Sequence, residues 1–211
     1  MATSHDPATL DTEDRVQPAS RGDWRDWLAA HHERETGVWF VYAKVAAPES
    51  MPRVSVDEAI EEALCFGWID SRPRKLDDHR SMLWFAPRRA GSGWSALNKR
   101  RIERVTQAGL MTPAGQRLID AAQADGSWSL LDDVEALTVP DDLAAELARY
   151  ESAAAYFAAF PPSVRRGILE WIVQAKRPDT RARRIAETAE LAEHDLRANQ
   201  WPRQTLPAKP S

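Results

Sequence analysis

Residues 55–70, SVDEAIEEALCFGWID, constrain the fold more than any other stretch of the chain. Ser55 and Glu58 have capping-box form: the serine hydroxyl accepts the amide three residues on, and the glutamate carboxylate reaches back to the serine amide. From there Val56, Ala59, Ile60, Ala63, Leu64 and Trp68 recur at i, i+3, i+4, so the spacing predicts an amphipathic helix. Asp57, Glu58, Glu61 and Glu62 fall opposite that stripe as its solvent face, with Cys65 on the border. Gly67 is a place to stop the helix, and Ile69-Asp70-Ser71 leads into an extended segment. A capped helix that runs straight into a strand requires both element types in one core.

The flanking sequence supplies partners for both. Upstream, Trp24, Trp27 and Leu28 share one face of a helix beginning near Gly22 and closed by His31 and His32. GVWFVYAKV after Gly37 is an aromatic and β-branched run suited to a buried strand. Downstream, Arg72–Leu76 and Met82–Phe85 form an antiparallel pair turned around Asp77-Asp78-His79, giving three strands in all. Pro87 ends the last strand, and a helix follows with apolar positions at Trp94, Leu97, Ile102 and Val105. Thr112-Pro113 then opens another helix, threonine as N-cap and proline at the first position.

Beyond Ser127 the character changes to alanine-rich helices separated by prolines: Pro140 through Tyr150, Ala153 through Phe160, a helix buried through Ile168, Trp171, Ile172 and Ala175, and a last one from Thr180 to about Arg197. The expected architecture is α+β, a small antiparallel-containing sheet packed with helices and followed by a helical C-terminal part. The layout reads as a disordered arm over 1–20, an α+β domain over 21–126, a helical part over 127–201 and a disordered tail over 202–211.

Composition narrows the function classes. With 211 residues, 28% of them charged, and a net charge of −4, the chain has no basic excess for coating nucleic acid over its whole surface. Its one cysteine excludes an internal disulfide and a cysteine-rich metal site. No stretch approaches the roughly 20 apolar residues of a spanning helix, and the N-terminus lacks the charged and apolar regions of a secretory signal. The expected compartment is cytoplasmic, without membrane insertion. The five histidines show neither HxxxH nor HExxH spacing, so no metal is assigned, and no cofactor. Gly91-Ser92-Gly93-Trp94-Ser95-Ala96 matches G-x-G-x-x-A, but the preceding chain does not alternate strands and helices, so it is not read as a dinucleotide fingerprint.

The candidate site is drawn from Cys65–Asp70 and Pro87–Arg101. Asp70 has the charge to pair with Arg88 or Arg89. Ser92, Trp94 and Ser95 stand at the predicted start of a helix, where free amides and the positive dipole end favour an anion, and Trp68 or Trp94 offers a stacking surface. Asn98 completes the set. The expected ligand is a small anion or a protein partner; the plainer reading is capping and core packing. Cys65 invites an enzyme reading as a nucleophile, but it sits toward a helix C-terminus, where the dipole raises a thiol's pKa. A second reading joins Lys99 and Arg101 to Lys176, Arg177, Arg181 and Arg184 as a phosphate-contacting surface for nucleic acid or a partner, against the alternative of a solvated helix face.

EALCFGWID (62–70), FAPRR (85–89), SGWSALN (92–98), GLMTPAG (109–115) and FPPSVRRGILEWIVQAKRPDTRARRI (160–185) together resemble the YdeI/OmpD-associated, or bacteriocin-protection, family, over about Trp24 to Leu196. The sequence departs from the expected pattern at Ser71, in place of a glycine, and at Ala86, in place of a threonine, which removes a hydroxyl from the candidate site. The resemblance implies a bacterial protein linked to stress and antimicrobial-peptide resistance, with a porin link in the family name, and it implies no reaction.

Overall fold

The computed structural model describes residues 15–200 and Pro202. Among these the chain forms four strands and nine helices, with the strands and four of the helices in the first 125 residues. It divides into two compact units, one of residues 15–92 and 97–125, the other of residues 93–96 and 126–200.

The first unit is built on a mixed sheet of β1 (Arg15–Val16), β2 (Val38–Ala43), β3 (Trp68–Lys75) and β4 (Arg80–Pro87), in the order β1-β2-β4-β3. β4 pairs antiparallel with both β2 and β3, as the expected hairpin requires. The fourth strand is the difference: Arg15–Val16 lies within the stretch read as an arm, yet pairs in parallel with Trp39 and Phe40. Residues 1–14 and 203–211, the remainder of the arm and most of the tail, lie outside the described residues. The β3–β4 turn is set by Asp77, whose Oδ1 accepts the amides of His79 at 2.9 Å and Arg80 at 2.7 Å.

β2 is apolar without alternation because both its faces are covered. Phe40 and Phe85 face α1 (Arg21–His31), where Trp24 meets their rings at 5.0 and 5.4 Å and donates its indole N–H to Ala59 O. On the other face Trp39, Val41 and Met82 form a separate small cluster, with Trp84 against Trp39 and the Arg72 guanidinium over both indoles.

α2 (Val56–Cys65) carries the capping box read from its sequence: Glu58 N–H donates to Ser55 Oγ at 3.2 Å and Ser55 N–H to Glu58 Oε2 at 3.0 Å. It ends through Gly67 at φ +79°, the left-handed conformation that glycine adopts without strain. Two assignments change here, those of Trp68 and of the Glu61–Glu62 face, while Cys65 keeps its favoured reading as a buried thiol. Trp68 opens β3 instead of continuing the helix, and Glu61 and Glu62 are buried where a solvent face was expected. Arginines of neighbouring helices explain the last point, because they turn a polar helix face into an interior ion-pair seam.

α3 (Ala96–Gln107) buries Ile102 and Val105, as expected, but starts after Trp94 and leaves Leu97 46% exposed. α4 (Pro113–Ala124) is capped by Thr112, whose hydroxyl also donates to Cys65 O at 2.6 Å. This fixes α4 across the end of α2 so closely that a Cβ at Gly115 would stand 2.4 Å from that same carbonyl.

The second unit is helical: α5 (Asp132–Glu135), α6 (Asp141–Leu147), α7 (Ala153–Ala159), α8 (Pro162–Val173) and α9 (Pro178–Glu193) surround a core that includes Leu143, Phe157, Ile168, Leu169, Ile172 and Ala189. Short α5 has no signal in the apolar spacing, and α9 begins at Pro178, its first-turn proline, two residues before the predicted start. Among the described residues, no helix is long and apolar enough to cross a membrane.

Candidate functional site

The hydrogen bond from Arg88 N–H to Gly67 O, 3.0 Å, extends the β3–β4 pairing past Pro87 and draws the exit of β4 to the exit of α2. The consequence is electrostatic. Asp70, two residues into β3, lies within the field of Arg88 and of Arg101 from α3. Burial pushes its carboxyl above the ordinary range, while a hydrogen bond from its own backbone and the charges of Arg101 and Arg88 pull it back. Burial likewise lowers the Arg88 guanidinium to about 10, against the pull of Asp70. Burial outweighs the neighbouring charges at both groups and moves each toward neutrality.

Arg101 extends the group. Its side chain is 11% exposed; Nε and Nη2 reach Asp57 Oδ1 at 2.8 and 2.6 Å, and Nη1 donates to Asn98 Oδ1 at 2.8 Å. Asp70, Arg88, Asn98 and Arg101 of the predicted residues therefore fall in one electrostatically linked group, with Asp57 as a member that sequence reasoning missed. Its place opposite the apolar stripe of α2 marks Asp57 only as a solvent-face acid, and nothing local shows that Arg101 reaches it.

The other predicted residues go elsewhere. Arg89 is exposed, and its carbonyl accepts the Ser92 hydroxyl at 2.6 Å, so Ser92 closes a local turn and does not cap α3. Trp68 is buried, donates to His32 O at 2.9 Å and meets Trp27 edge-on, so it offers no open stacking surface. Trp94 and Ser95 belong to the second unit, where Trp94 is buried against Trp128 with ring centroids 5.2 Å apart. At the start of α3 the amide of Ala96 donates to Glu135 Oε1 at 3.2 Å, and Arg166 grips the same carboxylate through two nitrogens. A carboxylate of the chain itself thus stands where a ligand anion was expected.

Cys65 belongs to a different network. Glu62, 1% exposed, accepts Arg21 Nε and Arg25 Nη1, each at 2.6 Å, and Arg25 also donates to Leu110 O at 2.8 Å. Glu61 joins Arg21 at 3.2 Å to Arg104 at 2.6 Å. Burial, then the charge of Glu62, pushes the Cys65 thiol up to about 11 despite its hydrogen bond with Arg25. The side chain is a buried thiol at neutral pH, with no thiolate to act as a nucleophile. Between pH 9 and 11 an unfolded chain loses this proton and the folded one keeps it, so stability falls as pH rises. Denaturant titrations at pH 8 and 10.5 will show wild type losing about 2 kcal/mol more than Cys65→Ala across that interval. Equal losses would place the thiol in an ordinary environment. Among the described residues no three His, Cys, Asp or Glu side chains stand together as metal ligands would.

Comparison with known families divides the chain along similar lines. Residues 16–118 match a domain of unknown function (DUF8412), and residues 136–194 match the family described as Bacteriocin-protection, YdeI or OmpD-Associated. Residues 136–194, well under half of the chain, are similar to the YdeI/OmpD-associated family. No curated protein and no solved structure matches the chain. The motifs between residues 62 and 115 that resemble the family fall inside the DUF8412 match, so the YdeI/OmpD-associated match is confined to the C-terminal part of the expected 24–196 range. The family assignment points to a stress-associated bacterial protein of unknown function.

Within the YdeI/OmpD-associated part, the basic cluster is largely engaged. Arg181 pairs with Asp142 through two nitrogens at 2.7 and 2.9 Å, and Arg184 lies over Trp171, 4.9 Å from the ring, and donates to its carbonyl. Lys176 and Arg177 are exposed at the α8–α9 corner. Lys99 and Arg101 belong to the first unit, where Arg101 is held by Asp57. Ion pairing and ring stacking thus account for three of the arginines proposed for a phosphate-contacting surface.

Proposed function

We propose that this chain is a noncatalytic, cytoplasmic, stress-linked protein whose first unit binds a small oxyanion at Arg88, beside Asp70 and Arg101. The observation that carries this reading is that the Arg88 N–H bond to Gly67 O draws the exit of β4 to the start of β3, while Arg101 is held on the same unit by Asp57 and Asn98. The Arg88 guanidinium already donates to Ser92 O at 3.3 Å, and an anionic neighbour would add charge-assisted bonds to that contact. Arg101 adds a second guanidinium already fixed by Asp57 and Asn98, so its placement costs little side-chain entropy on binding. Carboxylate, sulfate and phosphate groups share the required geometry.

Titration calorimetry at low ionic strength, with sulfate as the probe, tests the proposal. Wild type will bind, and Arg88→Gln will bind at least about tenfold more weakly, equivalent to about 1.4 kcal/mol. Unchanged affinity in that variant would remove Arg88 from the site.

A further inference from the structure

The face of the sheet turned away from α1 carries a row that draws one side chain from each strand. Arg15 of β1 is in register with Trp39 of β2, and Trp39 with Trp84 of β4. Side chains in register share a face of the pleat, so Arg15 lies on the side of the two indoles. In β3 the pairing shifts between Asp70 and Pro73, which leaves Ser71 and Arg72 together opposite Trp84. A bulge of this kind re-aims a side chain. Here it carries the Arg72 guanidinium over both rings, 5.7 Å from Trp84 and 6.0 Å from Trp39. The indoles meet edge to face at 5.1 Å, and Trp84 lies so close to the start of β2 that a Cβ at Gly37 would stand 2.6 Å from its Cε2. The rings are thus fixed before any ligand arrives.

The two cations are unspent. Among the described residues, the side chains of Arg15 and Arg72 form no ion pair and donate no hydrogen bond, and Nε of Arg15 is buried without a partner. Arg184 lies over Trp171 and also donates to a carbonyl, whereas Arg72 spends none of its N–H donors in lying over its rings. The carboxylates of β3 and its turn are turned elsewhere: Asp70, in register with Phe85, falls on the opposite face, and Asp77 and Asp78 pair with Arg80 and Lys75.

We infer that this face of the sheet is a binding site for single-stranded nucleic acid. Cations on the two edge strands with rings between them match a chain in which phosphates alternate with flat bases. An acidic peptide would use the arginines and leave the indoles without a role. Trp39 is buried, so the stacking surface is the exposed part of Trp84 together with the Arg72 guanidinium. One phosphate takes the donors of Arg72 and a second those of Arg15.

Fluorescence anisotropy of a labelled single-stranded DNA of mixed sequence, titrated with the full chain from low to moderate salt, tests the site. With two phosphate contacts, affinity will fall with salt at a log–log slope of about −1.4, and Arg72→Gln or Arg15→Gln will each halve that slope. The same sequence as a duplex, whose bases cannot reach Trp84, will bind more weakly. NMR of the wild-type indole N–H groups gives a readout independent of the variants' folding: the Trp84 resonance will shift with one saturating midpoint. Affinity and slope unchanged in both arginine variants, shifts that spare Trp84, equal binding of the duplex or of a polyglutamate peptide, or no binding at low salt would each overturn the inference.

Discussion

Replacing Glu62 with alanine will destabilise the first unit by about 3 kcal/mol, the lower end of what breaking a buried ion pair costs. The side chain is 2% exposed and accepts from Arg21 and Arg25 at 2.6 Å each. Its removal leaves two guanidinium groups facing a space they were placed to share with a carboxylate. Arg25 retains Leu110 O and the Phe66 ring, and Arg21 retains Glu61, so neither cation is stranded, which keeps the loss from the upper end. Burial lowers both guanidinium groups, but the Glu62 hydrogen bonds and charge outweigh it and raise them overall. The urea midpoint, followed by the circular dichroism of the sheet and helices, reads the change. A loss under about 1 kcal/mol would mean that the seam behaves as an exposed pair.

Trp94→Ala is the second large effect. In the second unit this residue is 3% exposed and packs against Trp128, while Gly93 lies so close to Leu131 that a Cβ there would stand 2.7 Å from its Cγ. Truncating a buried tryptophan of this kind costs about 3–5 kcal/mol, the sum of lost transfer energy and the cavity left behind. The Glu135 bond to the Ala96 amide holds the backbone in place around the vacancy, so little collapse offsets the loss. Amide exchange along α8 will accelerate accordingly. Protection of α8 equal to wild type would show that residues 93–96 are peripheral to the second unit's core.

These two residues also show what the sequence could and could not reveal. Local devices were legible because they act over four or five residues: the Ser55–Glu58 capping box, Thr112-Pro113 at the start of α4 and Gly67 at the end of α2 all occur as read. Hydrophobic spacing found the sheet's central strands for the same reason. Glu62 was misread because periodicity assigns a face its polarity and says nothing of what the next helix brings to it; the two arginines lie 41 and 37 residues away. Trp94 was placed in the site by its neighbours in sequence, whereas its ring is buried with Trp128. The part played by Asp57 required knowing that Arg101 crosses to α2.

Solution NMR of the full chain, titrated with sulfate at low ionic strength, tests the anion site most directly. The Arg88 Nε–H, the Asn98 side-chain amide and the backbone amides around Asp70 will shift together with one saturating midpoint. Shifts confined to the exposed α8–α9 corner around Lys176 and Arg177, or no saturable shift anywhere, would contradict the account.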